Sequence, residues 1–371
     1  MAGRLLLLGS AQCDGGRRKE WPSGRRGFDA RRWDLIYRTP RGVGVRQCIE
    51  LRGMSHSYHA RILVDTQQIV LASREIVNVN ATNDPDLFRA LKGGANNFGI
   101  VTSVDFQTFP QGEILAGFIT SPFAQREAVF DAFAGLANAT HYDPYAEIVT
   151  AVSYAPGTGW GSINTIAAYT KAQVKPAALQ PFLNVPDTQN TLHLTPTSTW
   201  SNESAIPLTE QMFYTGTYGV SAALMSKMIE QWDAILSATG PIPGLSSWGF
   251  AFEPLPTIYT QFGEKNGGNS LGTSPKDGNA MILLLSPGWN DTNSDVLVMK
   301  TANRLLDGAN ELAKSMGLLH DFQYVNYAGP GQNPPASYGA SNLVKLRAVS
   351  KKYDPHGVFQ RQVPGGFKLW P

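Results

Sequence analysis

The residues whose types best suit ligand binding lie in a loop from Gly93 to Thr102, which contains three glycines and two asparagines. Because glycine lacks a Cβ, Gly93, Gly94 and Gly99 can adopt positive φ and leave backbone N–H groups open to a phosphate or a dinucleotide. Their spacing matches neither the GxGxxG dinucleotide fingerprint nor the GxxxxGKS/T phosphate loop. An ordinary helix-to-strand turn explains these residues equally well, so the loop alone predicts no particular ligand.

A second candidate group is the segment Tyr-Val-Asn-Tyr at residues 324–327. A phenol has an unperturbed pKa of about 10, so it can act as a base near neutral pH only where its neighbours lower that pKa. From the residues alone, an alternating strand with one tyrosine in the core and the other on the surface is the favoured interpretation. The six histidines lack the spacing to acidic partners of a metal site, and both cysteines lie in the first 50 residues. No metal site is therefore predicted.

These groups need regular elements to position them, and the hydrophobic pattern supplies both helices and strands. A short helix is expected to begin at Pro85, to be capped by Asn83 or Asp84 and to end at Gly93. Longer helices are predicted at Pro122–Asn138, Ser221–Thr239, Asn293–Met316 and Ser341–Lys352. Strands are predicted at Ile69–Ala72, Glu75–Val79, Ile100–Phe109, Ile114–Thr120, Ala146–Tyr154, Ile163–Tyr169, Gly249–Phe252 and Met281–Leu285. Strands that interleave with long helices without strict βαβ alternation predict an α+β domain on a mainly antiparallel sheet.

The composition is that of a globular chain of about two domains. The chain has 371 residues, 42% of them hydrophobic, and its longest aliphatic run, Leu5–Leu8, is too short to cross a bilayer. Residues 1–52 carry 12 basic and 5 acidic side chains. Such an arm could attract nucleic acid or a membrane surface, but it lacks aromatic interleaving and any known binding motif. The sequence therefore favours neither nucleic acid nor a membrane as partner, and it leaves localisation open.

Three segments, taken in chain order, resemble one family. They are IVLASREIVNVNATNDPDLFRALKGGANNFGIVTSVDFQTFP, FEPLPTIYTQFGEKNGGNSLG and the C-terminal stretch that begins YVNYAGP and continues YGASNLVKLRAVSKKYDPHGVFQRQVPGGFKL. Together they resemble fungal members of the berberine-bridge-enzyme-like FAD-linked oxidases, in the vanillyl-alcohol oxidase/p-cresol methylhydroxylase (PCMH) superfamily. The likeness covers roughly residues 69–371.

The resemblance implies an α+β fold, in which a split PCMH-type FAD domain from both ends of the chain encloses an inserted α+β substrate domain. The substrate domain would be built on a mainly antiparallel sheet. By this division, residues 69–112 are the remaining part of the FAD domain and residues 113–322 the substrate domain. Residues 323–371 would return to the FAD domain.

The resemblance also implies roles for individual residues. The backbone of Gly99, Ile100 and Val101 would hold the adenosine part of FAD, and Tyr324 would be the base or substrate-orienting phenol beside the isoalloxazine ring. The implied cofactor-binding set is Gly94, Asn97, Gly99, Ile100, Val101, Asn326, Tyr353 and Phe359, and Tyr324 is the implied catalytic residue.

Upstream of residue 69 the chain departs from the family pattern. The family carries a glycine-rich pyrophosphate loop there, and in many members a histidine bonded to the flavin, whereas residues 1–68 are a basic stretch expected to be disordered. We hypothesise that residues 1–52 are an out-of-frame translation of the family's own flavin-binding exon, because permitted codons for Arg25–Pro40, shifted by one base, can spell VGGSTLGGGISYTAP. Residues 53–68 can be read as an intron whose removal restores the downstream frame. Transcript sequence tests this hypothesis.

The function expected from this resemblance is an FAD-linked oxidoreductase of secondary metabolism. It would oxidise a small molecule by hydride transfer to flavin N5, with O2 as the reoxidant. The alternative is a truncated or wrongly assembled family member that cannot bind FAD. The substrate and the reaction subtype (alcohol oxidation, ring closure or desaturation) stay open.

Overall fold

Two β-sheets organise the part of the chain that the computed structural model describes, residues 64–106, 111–204 and 212–370. The predictions for residues 1–63, including the basic arm and the shifted reading frame, lie outside the described residues. So does the end of the strand predicted to reach Phe109. The smaller sheet adjoins the glycine–asparagine loop, and the larger one forms the middle of the chain.

The smaller sheet has three antiparallel strands in the order β2-β1-β3, namely β1 (Val64–Val70), β2 (Ile76–Asn80) and β3 (Ile100–Phe106). Helix α1 (Pro85–Leu91) buries Leu87 and Phe88 on one side of this unit.

Strand β1 begins earlier than its predicted start at Ile69, so residues 64–68 form a strand where disorder was predicted. The two glutamines at positions 67 and 68 hide the strand in the sequence, but Gln67 pairs with Val79 on β2 and is buried. Pairing on both sides therefore outweighs local polarity in this central strand.

The larger sheet has nine strands among the described residues, and every pairing in it is antiparallel. Its order is β12-β9-β11-β10-β5-β6-β4-β7, with β8 also paired to β4. The strands are β4 (Ile114–Ser121), β5 (Ala146–Ala155), β6 (Gly159–Tyr169), β7 (Gln189–Asn190), β8 (His193–Thr195), β9 (Tyr214–Gly219), β10 (Leu245–Leu255), β11 (Ala280–Trp289) and β12 (Leu319–His320). The predicted mainly antiparallel sheet is confirmed, although β7, β8, β9 and β12 were not predicted.

Helices follow the predicted positions closely in the longer cases. The helices after α1 are α2 (Arg126–Ala137), α3 (Gln180–Leu183), α4 (Thr197–Glu203), α5 (Ala222–Thr239), α6 (Thr257–Lys265), α7 (Asp295–Ser315), α8 (Pro334–Ser337), α9 (Ala340–Tyr353) and α10 (Val358–Arg361). Helix α5 begins where Ser221 accepts a hydrogen bond from the Leu224 N–H, as expected for an N-cap serine. No helix in the described ranges is long and apolar enough to cross a bilayer.

The two faces of the larger sheet differ in what covers them. On one face, Phe250 and Phe252 pack against helix α5, where Trp232 stacks on Phe250 at a centroid distance of 4.2 Å. Because side chains alternate along a strand, Ala251 and Glu253 of β10 belong to the opposite face, here called the site face. The segment that follows β12 packs onto the site face through a contact between Tyr327 and Glu253.

Candidate functional site

The segment 324–327 is a turn, not the alternating strand that the residues alone favoured. The Tyr327 N–H donates to the Tyr324 carbonyl at 2.9 Å, which closes the turn. Both tyrosines are buried, and their rings meet edge to face with centroids 5.0 Å apart. The turn therefore places two phenols side by side rather than on opposite sides of a strand.

Each phenol has a distinct hydrogen-bond partner. The Tyr327 hydroxyl donates to Glu253 Oε1 at 2.8 Å, and Glu253 is only 2% exposed. The Asn326 amide donates to the Tyr324 hydroxyl at 2.8 Å. A buried carboxylate is stable only when it is well hydrogen bonded, so Tyr327 and Glu253 form a matched donor and acceptor. Such a pair can pass a proton from a phenol to a carboxylate.

Sequence reasoning missed both Glu253 and Tyr327 as functional candidates. Glu253 follows directly on the predicted strand Gly249–Phe252, which ended three residues before the observed end of β10 at Leu255. A strand extended by the same alternation would have put Glu253 on the face opposite Phe250 and Phe252. That single acidic residue within an otherwise apolar strand was the available signal.

The turn is held on the site face by Gln332. Its amide nitrogen donates to the Thr215 carbonyl at 2.7 Å, while its oxygen accepts from the N–H groups of Thr215 and Gly329, both at 3.0 Å. These bonds fix the segment against β9, because they satisfy backbone groups at the start of that strand. The position of the two phenols is thus set by the sheet.

The glycines of the candidate loop are required by packing within the protein. A Cβ at Gly94 would lie 2.6 Å from the Ala90 carbonyl oxygen, and one at Gly99 would lie 2.6 Å from Ile69 Cγ1 and from the Val70 carbonyl oxygen. Gly93 has φ of +126°, a conformation that side chains rarely adopt. The loop is therefore a tightly packed turn between α1 and β3.

Asn97, one of the predicted cofactor contacts, uses its side chain inside the protein. Its amide donates to the carbonyls of Gly94 at 2.8 Å and Phe367 at 2.9 Å, and its oxygen accepts from Gln360 Nε2 at 2.9 Å. The residue is 0% exposed. Its side chain fastens the C-terminal segment to the loop, and a cofactor role for Asn97 stays a prediction.

Tyr353 and Phe359 are likewise engaged within the protein. The Tyr353 hydroxyl bonds both Asp84 and Asp86 at 2.9 Å, so Asp84, expected to cap α1, makes no side-chain cap there. Phe359 is buried, and its N–H donates at 2.8 Å to Asp354, whose other oxygen accepts from the Val358 N–H. Their predicted flavin contacts are untested.

Gly99, Ile100 and Val101 lie differently, at an edge. Strand β3 pairs with β1 alone among the described strands, and Ile100 is 59% exposed. An edge strand presents unpaired backbone N–H and C=O groups. This edge is open to a ligand, and the contacts of Gly99, Ile100 and Val101 with the adenosine part of FAD, which the resemblance implies, stay a prediction.

Two half-buried ammonium groups flank the loop. Lys92 Nζ donates to the Asn266 carbonyl at 3.2 Å, and Lys368 Nζ donates to the Phe359 carbonyl at 2.9 Å and to Asn96 Oδ1 at 3.3 Å. Burial lowers the pKa of both lysines, and the neighbouring charge of Arg89 lowers the pKa of Lys92 further. Neither lysine has a carboxylate partner among the described residues. Positive charge at this loop suits an anionic ligand.

Tyr338 lies between the loop and Phe322, whose ring centroid is 6.4 Å from that of Tyr324. The Tyr338 hydroxyl donates to the Gly93 carbonyl at 3.2 Å, and its ring stacks on Phe322 at a centroid distance of 6.2 Å. Burial raises the pKa of Tyr338, so the hydroxyl keeps its proton.

No group of three or more His, Cys, Asp and Glu side chains within the described ranges is arranged to hold a metal ion.

No protein-family model matches the chain. The FAD-dependent monooxygenase sdcF of Emericella nidulans is 33% identical over 334 residues, which cover 86% of this chain and 69% of that protein. Oligopeptidase PhomG' of Diaporthe leptostromiformis is 34% identical over 310 residues, or 81% of this chain. Wild-type BBE-like 1 of Physcomitrella patens aligns with a TM-score of 0.60 at 18% identity, over 92% of this chain and 74% of that one.

These comparisons confirm the predicted fold class, a PCMH-type FAD fold with an inserted domain on a mainly antiparallel sheet. The chain spans only 25% of the oligopeptidase, so that protein's name describes far more than the matched part. The comparisons do not favour the alternative, a family member that cannot bind FAD.

Proposed function

Because the chain belongs to the family of berberine-bridge-enzyme-like FAD-dependent oxidoreductases, we propose that it binds FAD and oxidises a small-molecule substrate on the site face. The sdcF relative, named an FAD-dependent monooxygenase, supports the cofactor and the reaction class. The observation that carries the proposal is the buried hydrogen bond from Tyr327 to Glu253, beside Tyr324.

Residues at the edge of the smaller sheet would hold the cofactor. The exposed backbone of Gly99, Ile100 and Val101 would contact the adenosine part, and the charges of Lys92 and Lys368 would favour its phosphates. Asn326 would contact the flavin ring. When bound, FAD supplies a hydride acceptor at N5, with O2 as the proposed final oxidant.

The phenols and the carboxylate would handle the proton. Oxidation of a substrate alcohol, or of a phenol with an alkyl group para to its hydroxyl, releases the O–H proton as the hydride leaves carbon. We retain Tyr324 as the predicted residue that orients this hydroxyl, since Asn326 fixes its oxygen. Tyr327 would accept the substrate proton at its oxygen while its own O–H proton passes to the Glu253 carboxylate, which already accepts its hydrogen bond. Neither residue needs a metal partner for this task.

Three conservative variants test the proposal. Glu253→Gln, Tyr327→Phe and Tyr324→Phe should keep FAD affinity, measured by quenching of flavin fluorescence, yet slow flavin reduction by a panel of benzylic alcohols and phenols. The expected loss for a removed acid–base group is about 10²–10⁴-fold. Tyr218→Phe is the matched control, because Tyr218 is a buried tyrosine that bonds Asn310 on helix α7, away from the site face.

Two results would contradict the proposal. A soluble, folded chain that binds no FAD would remove the cofactor, and with it the reaction class. Variants at Glu253 and Tyr327 that reduce the flavin as fast as the wild type would leave the cofactor in place but reject this proton path.

A further inference from the structure

We propose that the substrate is a flat, mainly apolar ring system that carries two polar groups, and that Thr217 binds the second of them. The inference rests on the proposed function in one respect, namely that the site face receives the substrate. Three features of that face carry it: a floor of small residues, an aromatic ring at its border and a buried hydroxyl that has no partner in the described part of the chain.

The floor lies where β5, β10 and β11 run side by side. Ala251 pairs with Leu284 and Ala151, and two residues earlier Gly249 pairs with Ser286 and Ser153. Apart from buried Leu284, these positions are partly or fully exposed. Because their side chains are small, a planar ligand can approach the backbone of three strands at once.

Gly249 keeps this floor flat. A Cβ at Gly249 would lie 2.6 Å from Ser286 Oγ, so any larger residue would displace the serine. The floor thus gives a broad flat contact area, in which Ser286 and Ser153 are the residues with side-chain hydroxyls.

An aromatic ring borders the floor near the proton-handling pair. Phe213 is half-buried just before β9, and its ring stands edge to face with that of Tyr327 at 6.1 Å between centroids. Aromatic rings favour stacked or edge-to-face partners, so this border suits another aromatic ring.

Thr217 supplies the polar feature. Ile282 pairs with Thr217 on one side and with Glu253 on the other, so the threonine and the glutamate share one row across the site face. The Thr217 hydroxyl is buried, with the residue 1% exposed, and it has no hydrogen-bond partner among the described residues. By contrast, the Thr215 hydroxyl donates to the Leu283 carbonyl at 3.0 Å. An unsatisfied buried hydroxyl costs about 1–3 kcal/mol, a cost that a bound polar group would remove.

The spacing of the row sets the size of the ligand. Two strand spacings separate Thr217 from Glu253, or about 9–10 Å between backbones. A hydroxyl that faces the Glu253–Tyr327 pair and a second group that faces Thr217 would therefore stand at opposite ends of a fused two-ring system. A sugar needs a partner for the hydroxyl on nearly every carbon, whereas the side chains of this floor offer two hydroxyls, those of Ser153 and Ser286.

Calorimetric titration of the full chain with 2,6-dihydroxynaphthalene, 2-naphthol and cellobiose tests the inference. We expect the diol to bind more tightly than 2-naphthol, and cellobiose not to bind. Ala251→Leu and Ala151→Leu fill the floor from two strands and should each weaken diol binding by more than about tenfold. Ala128→Leu makes the same change at an exposed position of α2 and should have no effect.

Thr217→Val should weaken the diol to the level of 2-naphthol and leave 2-naphthol unchanged, while Thr217→Ser should restore the difference. Thermal melting identifies any variant that fails to fold. Cellobiose binding, absent diol binding or diol affinity that survives both leucine variants would overturn the inference. The same titrations with and without FAD separate the two proposals, because a chain that binds the diol but no FAD would sink only the proposed function.

Discussion

Asn97→Ala tests whether this side chain fastens the chain ends together or contacts the cofactor. The change removes three hydrogen bonds, with Gly94, Phe367 and Gln360, at 2.8 to 2.9 Å. A typical hydrogen bond contributes about 0.5–1.5 kcal/mol net, so the variant should lose about 2–4 kcal/mol of unfolding free energy. With a urea dependence of about 1–3 kcal/mol per molar, the midpoint of tryptophan-monitored unfolding should fall by about 1 M or more.

Asn96→Ala is the matched control, because Asn96 Oδ1 makes one long bond with Lys368 Nζ at 3.3 Å. Its expected loss is below about 1 kcal/mol. Adding Gln360→Ala to Asn97→Ala should cost less than Gln360→Ala alone, since the two side chains share a bond. An unchanged urea midpoint together with a tenfold loss of FAD affinity would refute the structural role and restore Asn97 as a cofactor contact.

Two further predictions concern packing and pH. Gly99→Ala should destabilise the fold by about 1–3 kcal/mol because its Cβ would meet Ile69 and Val70. Gly135→Ala lies in helix α2 with nothing within 4 Å of the new Cβ, so it should stabilise the fold by about 0.5–1 kcal/mol. Equal shifts in the melting temperatures of the two variants would contradict this prediction. Burial, together with hydrogen bonds to Asp84 and Asp86, raises the pKa of Tyr353 to about 12. The unfolded tyrosine has a pKa of about 10, so the contribution of this proton to the free energy of unfolding is fully present below about pH 10. It is lost as the pH rises through about 12. Between these two pH values the melting temperature of Tyr353→Phe should fall less than that of the wild type. An equal fall in both proteins would reject the raised pKa of Tyr353.

The fold could be predicted further than the site. Alternating apolar runs located most strands of the larger sheet, and Ser221 marked the start of α5 correctly. The polar residues of β1 defeated the same reasoning, because that strand is stabilised by its partners rather than by its own side chains. Local sequence carries propensity, while pairing and burial are set by distant segments.

The site depended on such distant contacts almost entirely. Asp84 occupies the expected cap position, but its carboxylate bonds Tyr353, which lies far along the chain. The pairing of Tyr327 with Glu253 joins a turn to a strand, and no local spacing connects them. The sequence could nominate glycines and tyrosines by type, but it could not tell which were used for packing and which faced a ligand.

The bond from Asn97 to Phe367 also bears on how the chain folds during synthesis. The two residues are 270 positions apart, and Tyr338 reaches Gly93 across 245 positions. At about 5–20 residues per second, a ribosome needs on the order of tens of seconds to make that stretch. Throughout this interval the loop has none of its C-terminal partners. The smaller sheet therefore lacks its contacts with the C-terminal segment until the end of the chain is made. During this interval its uncovered surface is the part of the chain that a chaperone would most usefully bind.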